Sequence, residues 1–209
     1  MGKENLICRP TKEGPPQWLG LENCIWDGED WLKRVASLRH LYPECGRLFK
    51  EILCCPRLDV RHIILELEGI RPSCNADYIS AVFALFKSMH ESGRYVITEA
   101  HKANCQKIEM FPVTTGSTKE GYDKLVSLSA PDWFVADKML LRNAFNGALT
   151  LLAFDVANVA DLMPIFKVLQ MESRLLSQVA GQTIITEGDV TVDKDLTMKY
   201  RSRGSFIAR

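Results

Sequence analysis

The stretch NADYISAVFALFKSMHESG, Asn75–Gly93, decides how the chain is read. Tyr78, Ile79, Val82, Phe83, Phe86 and Met89 recur at three- and four-residue steps, the period of one wide helical face. Asn75 stands where a side chain can cap the first amides, Asp77 sits at the positive end of the dipole, and Gly93 stops the run. Working back from it, Asp59 is a second N-cap, and Val60, Ile63, Ile64 and Leu67 give a shorter stripe broken at Gly69. Further back, Leu48, Phe49, Ile52 and Leu53 share a face between Pro43 and Pro56. Trp31, Val35, Leu38 and Tyr42 follow an Asp27 cap with Glu29 and Asp30 in the first turn, which predicts a helix from 27 to 42. Residues 27–105 therefore read as a helical lobe. Residues 1–26 read as a leader without regular structure, because Gly14-Pro15-Pro16 neither starts a helix nor pairs in a central strand. Trp18 and Trp26 are expected to pin this leader onto the body, with burial offsetting the entropy of ordering it.

Downstream the pattern changes, and residues 106–209 read as a small mixed α/β lobe. Lys107–Val113 alternates as a strand, the Thr-Gly-Ser-Thr run at 115–118 as a loop, and Lys124–Ser129 as a second strand. Residues 137–146 are helical and close at Asn146-Gly147. Ala148–Phe154 is a continuous apolar run expected as a buried strand. Asp155 or Asn158 caps another helix bearing Val159, Leu162, Ile165, Phe166 and Leu169, with Pro164 expected in its first turns. Val179–Glu187 is β-branched and strand-like, and the last fifteen residues lean helical. The fold class is thus α+β: a helical N-terminal lobe followed by a small mixed α/β lobe, together one module.

Composition narrows the partners. In 209 residues, 46% are hydrophobic and 25% charged, a balance that can bury a sizeable core. Lys+Arg and Asp+Glu each number 26, so the chain lacks the basic excess that duplex nucleic acid demands. The basic residues Lys199, Arg201, Arg203 and Arg209 read as a solvated helix end. No signal-type apolar segment or membrane-length run is visible, so no membrane role is expected. Seven cysteines, irregularly spaced, fit reduced thiols in an intracellular setting, cytoplasmic or nuclear.

No cofactor, metal site or catalytic residue is expected. Thr114–Lys119 holds a single glycine and lacks the Gly-Lys-Ser/Thr ending of a phosphate cradle. His101 and Cys105 stand one helical turn apart without a second ligand pair, and Cys45, Cys54, Cys55 and Cys74 lack zinc spacing. His62 and His90 read as partly exposed, dipole-compatible residues on helices, and His40 comes with no nucleophile pattern of its own. Glu66 with Glu68, and Asp193 with Asp195, occupy ordinary polar contexts. Trp18, Trp26, Trp31 and Trp133 are the candidates for partner binding, since interface centres favour such rings, although core packing is the commoner use.

Two stretches carry a resemblance. The first is residues 16–53, with Trp18-Leu19, Cys24-Ile25-Trp26-Asp27-Gly28, Trp31-Leu32, Leu41-Tyr42-Pro43 and Leu48-Phe49. The second comprises Met110-Phe111-Pro112-Val113, Trp133-Phe134-Val135-Ala136-Asp137, Leu149–Asp155 and Leu175-Leu176-Ser177. Together they resemble the region downstream of the ATPase domain in large fungal sacsin-like proteins, whose ATPase is of the GHKL type. The resemblance implies one module of a larger architecture; fragment, truncated relative and stand-alone copy all stay open. It carries over no functional residue, because the Asn-bearing magnesium helix and nucleotide lid of that ATPase have no counterpart here. The expected function is a non-catalytic protein-interaction or scaffold module with unidentified protein partners. The alternative is an accessory enzyme or ligand-binding protein of small-molecule metabolism with a pocket between the lobes.

Overall fold

The computed structural model describes residues 7–11, 14–93, 95–116 and 121–180. The strand expected at Val179–Glu187, the helical C-terminus with its basic residues, and Asp193 with Asp195 lie beyond residue 180, outside the described residues. Ser117 and Thr118 of the expected loop lie outside them as well.

The elements around Asn75–Gly93 form as their patterns predict. Asp59 caps α2 (Val60–Glu68): its side chain accepts from the His62 amide while His62 Nδ1 accepts from the Asp59 amide. This reciprocal pair satisfies two donors that a helix start otherwise orphans. Asn75 caps α3 (Ala76–Glu91) through the Tyr78 amide, and Thr98 caps α4 (Glu99–Lys107) through that of His101. Downstream of α4 the chain builds a four-stranded sheet in the order β6-β5-β8-β7. Its strands are β5 (Phe111–Thr114), β6 (Lys124–Val126), β7 (Trp133–Phe134) and β8 (Thr150–Leu152). β5 runs antiparallel to both neighbours, while β7 and β8 are parallel and joined through α5 (Met139–Phe145). Pro112 is tolerated in this interior strand where the β5–β8 ladder ends, and its carbonyl accepts the Ala153 amide. α6 (Val156–Val168) then returns against α3, and Lys87 reaches Asp161 across the pair at 2.6 Å. Pro164 lies well inside α6 rather than in its first turns.

One apolar core runs from Val60 to Leu175 and crosses residue 105 without a break, so the helices and the sheet share it. Phe83 stands at its centre, with the rings of Phe111, Phe154 and Phe166 at centroid distances of 5.4, 5.9 and 6.2 Å. The mixed α+β class is as expected. The C-terminal end of the described chain closes the sheet: Val135 donates to the Arg174 carbonyl and accepts from the Leu176 amide, next to α7 (Leu176–Val179).

The N-terminal quarter differs from its sequence reading. The leader is not irregular: β1 (Ile7–Arg9) and β2 (Gln17–Leu19) pair antiparallel, and Gly14-Pro15-Pro16 lies in the connection between them. The helix expected from 27 to 42 does not form. Cys24–Ile25 (β3) and Ala36–Ser37 (β4) pair in parallel, and only Leu38–Leu41 (α1) is α-helical. The second expected helix does form over residues 43–52, but with irregular winding: 3-10 at Pro43–Cys45, α at residues 46–47 and π at Leu48–Ile52. Outside residues 38–41 and 43–52 the segment 27–58 is non-helical. It shares a small core with the preceding hairpin, made of Ile7, Leu19, Cys24, Ala36, Leu38 and Phe49, while Ile25, Leu32 and Val35 meet Leu65 of α2 and Leu85 of α3.

Candidate interaction site

The reason for the missing helix is a buried carboxylate. Glu66 on α2 is completely buried, and both of its oxygens are occupied. Oε1 accepts from the amides of Arg34 (2.5 Å) and Val35 (2.6 Å); Oε2 accepts from the Lys33 amide (3.2 Å) and the Tyr78 hydroxyl (2.6 Å). In a helix those three amides would have bonded to carbonyls four residues earlier; here they converge on one side chain. Burial and the Glu66 hydrogen bond push the Tyr78 hydroxyl well above its ordinary range, so it remains a donor. Arg9 completes the latch from the hairpin by donating to the carbonyls of Leu32 (2.6 Å) and Lys33 (2.8 Å). A carboxylate sitting three residues after Ile63, on the flank of the apolar stripe, was the available sequence signal.

A second clamp is Arg174. Its guanidinium lies 4.5 Å over the Trp133 ring and donates to the carbonyls of Trp133, Leu128 and Ala130 at 2.9, 2.6 and 2.6 Å. Two histidines hold structure: His62, expected to be partly exposed, is buried and closes the N-terminus of α2, and His101 closes that of α4. Burial pushes the thiols of Cys24 up to about 12 and of Cys55 and Cys105 up to about 11, which keeps them protonated and unreactive near neutral pH. Among the described residues there is no cluster of three or more His, Cys, Asp or Glu able to hold a metal ion. No described helix is long and apolar enough to cross a membrane.

The four tryptophans do not share one surface cluster. Trp133 is buried against Phe111, with its Nε1 donating to the Ser127 carbonyl, so it has no face for a partner. Trp31 is half-buried edge-on to Tyr78, and Trp26 half-buried on Phe49. Only Trp18 is well exposed, at 56%.

The exposed surface that sequence reading missed lies on the π-helical turn. Phe49 faces inward, while Leu48, Ile52 and Leu53 are 42%, 68% and 39% exposed. The wider π turn brings positions i, i+4 and i+5 to one side, and the Leu53 amide does donate to the Leu48 carbonyl. Lys50 of the same turn helps to line a cleft of about 740 Å³, together with Trp26, Asp27, Arg39, Cys55, Arg57, Leu58 and Tyr95. Gly46 lets the Trp26 ring lie close on the turn, since a Cβ there would stand 3.1 Å from the ring. Arg39 pairs with Asp27 at 3.1 Å and Lys50 Nζ lies 5.3 Å over Trp26. Neither Lys50 nor Arg57 has a carboxylate partner among the described residues. A separate hollow of about 670 Å³ lies between Glu68–Pro72 and the 108–109 and 123–125 segments.

A family described as "Domain of unknown function (DUF8348)" matches residues 61–180. The chain belongs to this family. No curated protein and no solved structure matches it. The family stretch contains Glu66, Tyr78, the sheet and the main core. The exposed turn and every cleft residue except Tyr95 precede it, on the segment that the Glu66 latch fastens down.

Proposed function

We propose that this chain is a non-catalytic protein-interaction or scaffold module. The observation that carries the reading is the exposed apolar strip Leu48, Ile52 and Leu53 on a turn anchored by buried Phe49. Three large apolar side chains on one turn form a patch rather than scattered surface residues, and such patches are costly unless a partner covers them. Trp18 supplies a further exposed ring on the same N-terminal segment. The resemblance of residues 16–53 to sacsin-like chains supports partners of the chaperone or ATPase class. The test is affinity purification of the tagged full chain beside Leu48→Asp and Ile52→Asp variants, with partners identified by mass spectrometry. A named partner retained by the parent and lost by both folded variants supports the module; an identical partner list for all three removes its basis.

The alternative, a ligand-binding or accessory metabolic protein, draws on the hollow between Glu68–Pro72 and Asp123–Leu125, which joins the two halves of the sequence. Its volume suits a small ligand. It predicts thermal stabilisation of the chain by a metabolite, abolished when Ile70→Trp fills the hollow.

A further inference from the structure

The cleft beside the π-helical turn has a charge that the whole chain does not. The sequence as a whole is neutral, yet the cleft is lined by Arg39, Lys50 and Arg57 against the single carboxylate Asp27. Asp27 already engages Arg39 at 3.1 Å, which demonstrates the ligand chemistry that this wall accepts. Lys50 is held over the Trp26 face and Arg57 is exposed at the rim, and neither meets a carboxylate among the described residues. Trp26, Leu58 and Tyr95 add aromatic and apolar surface to this otherwise polar lining. With Lys50 and Arg57 lacking a carboxylate partner among the described residues, an incoming carboxylate gains both pairings while apolar side chains cover the Trp26, Leu58 and Tyr95 surface.

We infer that the cleft receives an acidic segment of the protein partner, its carboxylates pairing with Arg57 and Lys50 and an apolar side chain seating on Leu58 and Tyr95. This rests on the interaction-module reading and names the chemistry of the partner. A peptide fits better than a free phosphate for two reasons. The lining residues include no glycine-rich run whose backbone amides would converge on phosphate oxygens. The cleft also offers the Trp26, Leu58 and Tyr95 surfaces, which inorganic phosphate would leave uncovered. Arg57 provides the planar fork that pairs with a carboxylate through two parallel bonds, and Lys50 a point charge beside it.

The experiment uses the full chain and a fluorescein-labelled twelve-residue peptide alternating Glu and Leu, followed by anisotropy. A Lys/Leu peptide of the same pattern, inorganic phosphate and ATP serve as comparisons. The expected result is saturable binding of the Glu/Leu peptide and none of the Lys/Leu peptide. Affinity should fall at least tenfold in the Lys50→Glu/Arg57→Glu double variant and several-fold when salt is raised from about 0.05 to 0.5 M. Arg61→Glu, a cation already paired with Asp59 outside the cleft, should bind as the parent does. Equal binding by the double variant, equal binding of the Lys/Leu peptide, or displacement of the peptide by phosphate or ATP at comparable concentrations each overturns the proposal. Partner capture separates the two readings. A partner lost on Ile52→Asp but kept by the double variant leaves the module standing and removes the cleft from it. A partner kept by both variants removes both readings.

Discussion

Among the described residues, the longest α-helix between Ile7 and Leu58 is the four residues Leu38–Leu41, whereas Val60–Val168 contains helices of nine, sixteen, nine, seven and thirteen residues. The family stretch is organised by side-chain periodicity: capped amphipathic helices lay their stripes on a sheet around Phe83. The N-terminal segment is organised by individual polar bonds, chief among them the four that end on Glu66. The contrast has an energetic meaning. Periodic stripes distribute stability over many small contacts, while a latch concentrates it in a few donors that fail together when their acceptor changes.

Substituting the hub of the periodic half should have the largest effect. Phe83→Ala removes a fully buried ring that meets three others, and about 3–5 kcal/mol of stability should disappear in a denaturant titration. A loss below 1 kcal/mol would mean that the core is not centred there.

Glu66→Gln tests the latch. The Gln oxygen can keep the Arg34 and Val35 amides, but its NH₂ would face the Lys33 amide, which only donates, and would force the Tyr78 hydroxyl to reverse from donor to acceptor, so about 2–4 kcal/mol should be lost. Hydrogen exchange should accelerate at the amides of Lys33, Arg34 and Val35 while α3 stays protected. Uniform acceleration over both regions would erase the distinction drawn between them.

Tyr78 joins the two halves and adds a pH signature. Its folded-state pKa lies above the ordinary value near 10, chiefly through burial and then through Glu66. The stabilisation it contributes is therefore complete below that value and is lost as pH rises beyond it, because the unfolded state releases the proton first. Tyr78→Phe should cost about 1–2 kcal/mol near neutral pH and flatten the alkaline limb of the stability curve. An unchanged limb would show that the hydroxyl is not held by Glu66.

The smallest effect should come from the exposed turn. Ile52→Ser should alter stability by no more than about 0.5 kcal/mol, since the side chain is 68% exposed. Its thermal midpoint should coincide with the parent's even as partner capture weakens; a substantial fall in that midpoint would place Ile52 in the packing of the N-terminal segment instead of at an interface.

Legibility followed the same division. Asp59, Asn75 and the stripes of α2 and α3 were readable because a helix start and its buried face are written within four or so residues of each other. The strands at Phe111–Thr114, Lys124–Val126 and Thr150–Leu152 were recognisable for a similar reason, though their ends moved. The two-residue β7 was not, being too short to carry a pattern. For the candidate site, Trp26 alone of the four tryptophans lines the cleft, and its cationic neighbours Arg39, Lys50 and Arg57 come from separate parts of the segment.

Trp31, Val35, Leu38 and Tyr42 show the limit most clearly. Their spacing is helical, and three of the amides that would have built the helix are taken by a carboxylate more than thirty residues away. Local sequence thus determined the capped helices, the mixed α/β character of the second half, the α+β class and the balanced net charge, because each depends on near neighbours or on composition. Tertiary structure alone decided the fate of residues 24–58, the burial of Trp133, the exposure of Leu48 and Ile52, and the gathering of three cations at one cleft. Each of those depends on which distant group competes for a backbone donor or covers a face, and that competition is settled only when the chain has closed on itself.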